Sequence, residues 1–380
     1  MEQILGYSPG EFDSRGAGWT AREIAQQPAL WREVAKTAST LAEDHAAFLR
    51  PLLDRRDLRI VLAGAGTSAY AGEVVAPALR RRLGHRVEPV ASTDLVADPH
   101  GCFGDDVPTL LVSLSRSGDS PEAIAATRLA DQVLTECHHL VVTCNPDGQL
   151  AREHADAPSS LVLLMPAAAN DQGFAMTSSF TSMALAIQLV LTGGTADETV
   201  HQLATAAERA LPGIADRARS LVTAGYERFV YLGSGPLRSL ARESALKLLE
   251  LTAGQVQTHA ESSLGFRHGP KAVLNDRTLA VVYVSSDPYT RRYDLDLVDE
   301  LRRAAAPAEV VALSAVDGSS LWHLPGLDGL DDATSALCYA LFPQTIALHA
   351  SLHLGHTPDN PFPAQEVNRV VRGVTIHPLD

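Results

Sequence analysis

The stretch RIVLAGAGTS, residues 59–68, returns 169 residues later as RFVYLGSGPL, residues 228–237. Each is a short run rich in apolar and β-branched residues that stops at Gly-x-Gly, the pattern of a buried strand giving way to a helix. Gly64 and Gly66 match Gly233 and Gly235. The same offset aligns TLLV at Thr109 with TLAV at Thr278, Val141 with Val310, and Ala91–Leu95 with Ala260–Leu264. One constant offset over four anchors marks two copies of one unit.

Within the first copy, RIVLAG, RVEPV, TLLVSL, HLVVTC and SLVLLMP read as strands. SAYAGEVVAPALRRRL and SPEAIAATRLADQVL read as the helices between them. Strands alternating with helices at this spacing predict a parallel sheet covered on both faces, so each half is an α/β doubly wound domain. Residues 1–53 form a helical segment, 54–215 the first domain with connecting helices, and 216–380 the second with a C-terminal tail. Thr20 and Glu23 fit a capping box in the helical segment.

Composition narrows the function. The 380 residues are 46% apolar and 20% charged, with a net charge of −14. That balance argues against nucleic acid or an anionic membrane as the main partner. The N-terminal MEQILGYSPGEFD has neither a basic start nor a long apolar stretch, which predicts no signal peptide, and MALAIQLVL is too short to span a bilayer. The four cysteines, Cys102, Cys137, Cys144 and Cys338, form no CxxC pair. Free thiols in a reducing cytoplasm are expected.

Ligands of doubly wound sheets bind at the carboxyl ends of strands. SLSRSGDSPE, residues 113–122, follows such an end. Ser120 is a natural N-cap and Pro121 fits the first helical position, so free amides and a partial positive charge are expected there. Ser115, Ser117 and Ser120 add hydroxyls, and Gly118 permits close approach. A phosphate cradle and a ligand-free serine turn fit these residues equally well. At the 169 offset Asp287 stands where Gly118 does, which predicts one phosphate site, in the first copy. GAGTSA, with Glu88 downstream, also fits a dinucleotide fingerprint. That reading weighs less, because the motif recurs in degraded form and does not call for the serine loop.

The second copy carries different side chains. In PLRSLARESALKLLELTAG, Glu243, Lys247 and Glu250 fall at i, i+4 and i+7, on one helix face. An exposed ion-paired stripe is the ordinary reading of such a pattern; charges lining a cleft suit a helix this apolar elsewhere. In GFRHGPK, Arg267, His268 and Lys271 share a rigid turn, a setting for acid/base work by His268. His349 and His353 have zinc-like i, i+4 spacing without HExxH or a nearby cysteine. Cys137-His138-His139 with Cys144 straddles a predicted strand. No metal is expected.

Taken together, GAGTS, SRSGDSPE, ESALKLLELTAG, GFRHGPK and VNRVVRGVTIHP resemble the galactosamine-6-phosphate deaminase/isomerase family, whose members are also described as tagatose-6-phosphate ketose/aldose isomerases. The resemblance covers nearly the whole chain and implies two tandem sugar isomerase (SIS) domains, flavodoxin-like or Rossmann-like sandwiches. A more distant resemblance is to the isomerase half of glucosamine-6-phosphate synthase. It implies phosphate binding by Thr67, Ser68, Ser115, Arg116, Ser117 and Ser120, a base at Glu250 with Lys247 beside it, and ring opening by His268 from the other subunit of a dimer or a dimer of dimers. Arg372 stands where that family has a tail lysine; an arginine binds but forms no Schiff base. No cofactor is implied. The amidotransferase half has no counterpart in the chain, so ammonia release from an amino sugar 6-phosphate is the implied direction. Isomerisation without deamination and a non-catalytic sugar-phosphate sensor are the alternatives.

Overall fold

In the computed structural model, residues 4–193, 197–304 and 306–379 are described. The chain divides into two compact units. One comprises Leu30–Asn170, Ser178–Asp197 and Ala364–Asp380. Its parallel sheet runs β1 (Arg59–Gly64), β2 (Arg86–Ala91), β3 (Thr109–Ser115), β4 (Cys137–Thr143) and β5 (Ser160–Leu164), in the order β2-β1-β3-β4-β5. β1 and β3 are buried at every position, which is why they read as continuous apolar runs. The helix Ser178–Leu191 is buried throughout, its Ser, Thr and Gln side chains included. Trp31 Nε1 donates to Thr181 Oγ1 in that helix at 2.9 Å.

The other unit comprises Met1–Ala29, Asp171–Thr177 and Glu198–Pro363. Its strands are β6 (Arg228–Gly233), β7 (Gln257–Ser262), β8 (Thr278–Val284), β9 (Glu309–Ser314) and β10 (Trp322–His323). Their order, β10-β9-β8-β6-β7, is the first sheet's order repeated. The two copies are thus the doubly wound α/β domains expected.

The offset between copies is not constant. It is 169 at β1/β6 and at β3/β8, since Arg59 pairs with Thr109 and Arg228 with Thr278. At β2/β7 and at β4/β9 it is 171: Gly64 faces Ala91 while Gly233 faces Ser262, and 262 − 91 = 171. Likewise Leu110 faces His138 while Leu279 faces Glu309, and 309 − 138 = 171. The alignments of Ala91 with Ala260 and of Val141 with Val310 are therefore two residues out. A slip of two keeps every side chain on its own face of a strand, so the sequence pattern matched in the wrong register.

The capping box does not form either. The helix Gly18–Ala25 begins at Gly18, with Ala17 as its N-cap. Thr20 donates from its amide (2.8 Å) and its hydroxyl (2.7 Å) to Asp359 Oδ1. Glu23 instead accepts from the amides of Gln172 and Gly173, and burial beside Asp171 pushes its carboxyl up to about 7. Both side chains are committed to distant loops rather than to their own helix. Among the described residues no helix is long and apolar enough to cross a membrane.

The strand-to-helix turns rest on close backbone contact. A Cβ on Gly64 would lie 2.6 Å from Ser68 C, and one on Gly233 2.7 Å from Leu237 O. Gly64→Ala and Gly233→Ala are each expected to lower stability by about 1–3 kcal/mol through overpacking, read as a fall in the urea midpoint. Gly213, in the helix Asp197–Thr223, has open space around its Cβ position. Gly213→Ala is expected to leave the midpoint unchanged or raise it.

Candidate functional site

In the first sheet the chain leaves β1 towards β2 and β3 towards β4, so the crevice between the carboxyl ends of β1 and β3 is the topological switch point. Two helix starts meet it. The helix Thr67–Leu83 opens after Gly66, at φ 56°, with Thr67 and Ser68 buried in its first turn. The helix Pro121–Val133 opens after the serine loop, with Ser120 as N-cap accepting from Ala123 N.

The loop between β3 and that helix is tied at every residue. Ser115 Oγ accepts from Gly118 N at 3.0 Å, and Ser117 Oγ from Asp119 N at 3.2 Å. Each hydroxyl is used as an acceptor, which leaves its hydrogen for donation to an anion. Gly118 has φ 68°, and a Cβ there would meet Gly148 Cα at 3.2 Å. Asn145 Nδ2 donates to Ser117 O (2.9 Å) and Leu150 N to Gly118 O (3.0 Å), pinning the loop to the turn after β4. Arg116 is buried and donates to Arg369 O at 2.8 Å. Arg372, exposed, lies three residues further along that tail. Glu88 sits in mid-β2 opposite Val61, ion-paired to Arg86 at 2.9 Å. It is not at the strand's carboxyl end, where a ribose-binding acid belongs.

The switch point of the second sheet is built differently. Its strand-to-helix loop has three residues, 285–287, where the first has five, 116–120. Asp287 matches Ser120 rather than Gly118: it is the N-cap of the helix Pro288–Arg303, accepting from Tyr289 and Thr290 amides. The serines here already hold carboxylates. Asp294 accepts from Ser234 Oγ (2.6 Å), Ser263 Oγ (2.5 Å) and Ser285 N (3.0 Å). Asp332 accepts from Ser285 Oγ (2.5 Å) and from the amide (2.7 Å) and hydroxyl (2.8 Å) of Ser286. Burial pushes the Asp294 carboxyl up, and its three hydrogen bonds pull it back.

The charged stripe lies on the helix Pro236–Leu251, which packs against β6, β7 and the helix Leu341–His353. It is not an exposed stripe. Lys247 and Glu243 are 1% and 2% exposed, whereas Glu250 is 26% exposed. Lys247 Nζ lies 2.5 Å from Glu250 Oε2 and 3.6 Å from Glu243 Oε1. Glu243 helps anchor the lysine from one side, and Glu250 is the member that reaches solvent.

In the GFRHGPK turn the three polar side chains separate. Arg267 Nε donates to Glu300 Oε2 at 2.7 Å, and Lys271 Nζ donates to Glu300 Oε1. His268 stands exposed between them, before Gly269 at φ 114°. Glu300 was not visible as a site residue in the sequence: it lies 33 residues beyond Arg267 with no local pattern linking them. Asp294 and Asp332 were hidden in the same way. His349 is buried against Tyr7, and burial with Arg219 and Arg15 nearby pushes it down to about 4.

Residues 52–193 match the SIS domain family model. The chain is 61% identical over 368 residues to the AgaS protein of Streptomyces coelicolor, covering 95% of this chain and 96% of that one. It is 44% identical over 377 residues to D-galactosamine-6-phosphate deaminase AgaS of Escherichia coli, covering 95% and 96%. The crystal structure of tagatose-6-phosphate ketose/aldose isomerase from Escherichia coli superposes with a TM-score of 0.89 at 42% identity, over 95% of this chain and 96% of that one. Two SIS-type sheets and full-length identity at this level show that the chain belongs to the AgaS family of D-galactosamine-6-phosphate deaminases.

Proposed function

We propose that the chain converts D-galactosamine 6-phosphate and water to tagatose 6-phosphate and ammonia. The observation that carries the mechanism is the buried Lys247 ammonium held against Glu250, the carboxylate of the stripe with access to solvent. Glu250 acts as the base. It takes the proton from C2 of the open-chain aldehyde, giving an enolamine with its hydroxyl on C1 and its amine on C2. Return of a proton to C1 gives the C2 ketimine, and water hydrolyses that to the ketone and ammonia. Lys247 is the cation that steadies the negative charge developing on O1.

The phosphate is assigned to the serine loop. Ser115, Ser117 and Ser120, the helix start that follows them, and Thr67 and Ser68 supply neutral donors and two helix N-termini. Arg116 and Arg372 supply positive charge nearby. His268 opens the sugar ring, and we assign it to the site of a neighbouring subunit in a homodimer or dimer of dimers. Its exposure, with its cationic neighbours held by Glu300, supports that role. The four cysteines, none in a disulfide, suit a cytoplasmic enzyme. Aldose-ketose isomerisation without loss of nitrogen is the second reading, favoured by the name of the Escherichia coli structure, and it uses the same base.

Coupled ammonia detection separates the two readings. Wild-type protein is expected to release ammonia from galactosamine 6-phosphate, and Glu250→Gln to bind the sugar with little change in affinity while losing turnover. C2-proton exchange with solvent at the wild-type rate in Glu250→Gln would place the base elsewhere. Turnover of tagatose 6-phosphate with no ammonia release from the amino sugar would favour the isomerase reading.

Ser115→Ala and Ser117→Ala are expected to weaken phosphorylated sugars by about 1.5–3 kcal/mol each, the worth of one hydrogen bond to a charged group. Calorimetric titration checks this, since unphosphorylated sugars should be almost unaffected. Equal losses for both classes of ligand would contradict the cradle.

Shared sites are tested by refolding His268→Ala together with Glu250→Gln. A mixed dimer regains one site with both residues intact, so part of the wild-type activity should return. Silence in the mixture, with subunit exchange confirmed by mass, would put all catalytic groups in one chain.

A further inference from the structure

Cys137 and His139 are two residues apart in β4, so their side chains leave the same face of the sheet. The helix Pro121–Val133 covers that face, and Asp131 near its end lies with Oδ1 2.9 Å from His139 Nε2. One donor atom from each of Asp131, Cys137 and His139 falls within 4.8 Å of the other two. His139 is 1% exposed, and its Nδ1 has no hydrogen-bond partner among the described residues. Nε2 is the ring nitrogen that faces Asp131, and an ion between the two would replace the proton they share, leaving the N–H on the outer ring nitrogen, Nδ1.

We propose that Asp131, Cys137 and His139 form a binding site for one divalent transition-metal ion of borderline softness, of the zinc type. The donor set of thiolate, imidazole and carboxylate suits such an ion. Thiolate and carboxylate together cancel its two positive charges, and the imidazole stays neutral. Binding displaces the Cys137 proton to solvent. Because a proton is released, binding strengthens as pH rises. The neighbouring His154 ring is 4.8 Å from that of His139, with Nδ1 bonded to Ser160 Oγ at 2.8 Å. Asp131 is 57% exposed, which provides the entry path and room for a water as fourth ligand.

The site lies at the opening end of β4, where Cys137 pairs with Thr109, while the serine loop follows Ser115 at the other end of β3. The ion would fasten β4 to its covering helix and take no part in the sugar chemistry. Cobalt(II) titration of the full-length, chelator-treated protein tests this. One equivalent should produce a sulfur-to-cobalt charge-transfer band and release one proton. Cys137→Ala should abolish the band, and Cys102→Ala should keep it. Asp131→Asn, at an exposed position, should weaken binding about tenfold or more. Zinc should raise the melting temperature of the wild type but not of Cys137→Ala, with kcat unchanged. No band at one equivalent, a band surviving Cys137→Ala, or an equal zinc shift in both proteins would overturn the proposal.

Discussion

A parallel sheet covered on both faces leaves its strand ends as the place for polar chemistry. Both sheets obey this, and both gather serines and helix starts at the same switch point. They differ in what those donors hold. In the second sheet, Asp294 and Asp332 take six serine groups between them, two of them backbone amides. These carboxylates are part of the fold and satisfy donors that burial would otherwise penalise. In the first sheet the loop is two residues longer, Gly118 takes a left-handed turn, and the serine hydroxyls accept from their own loop's amides. The serines of one copy are taken up by internal aspartates and those of the other are not, and the proposal of a single phosphate site rests on that asymmetry.

The second constraint is a lysine buried between carboxylates. Spacing alone places it: i, i+4 and i+7 on one helix put Glu243 on one side of Lys247 and Glu250 on the other. Removing a buried ammonium from water costs several kcal/mol, and only close, well-aligned carboxylates offset that. The arrangement is asymmetric. Glu243 is sealed in with the lysine, and Glu250 keeps one edge towards solvent. A carboxylate gripped on one side and open on the other has a fixed direction, which suits the role of base proposed for Glu250.

Much of this was legible in the residues, and the failures share a cause. Strand and helix content followed from apolar runs ended by Gly-x-Gly, and the doubled topology from the offset of 169. The offset drifted to 171 at β2/β7 and β4/β9 because a two-residue slip leaves the period-two pattern intact. The GluLysGlu stripe was found because its partners are local. Asp294, Asp332 and Glu300 were not, because each meets its partners across separations that no helical or strand period encodes. Thr20 and Glu23 misled for the same reason: their spacing fitted a local cap, while the folded chain bonds them to Asp359 and to the amides of Gln172 and Gly173. Asp287 misled by register, since the shorter loop moves it from the place of Gly118 to that of Ser120.

The GFRHGPK turn shows how long-range pairing changes the meaning of a motif. Three adjacent cationic or titratable side chains suggest a positive patch. Glu300 binds two of them, one through each carboxylate oxygen, so their charge is largely cancelled and their side chains are held. The ion pairs are partly exposed, and their value lies in fixing geometry more than in stability. Gly269 takes a φ of 114° that other residues rarely adopt, and Pro270 fixes the backbone after it. What remains exposed on that turn, beside its ion-paired neighbours, is the His268 imidazole. A patch of bare cations would attract any anion, whereas a charge-balanced turn does not. The carboxylate of Glu300, invisible in the motif itself, makes that difference.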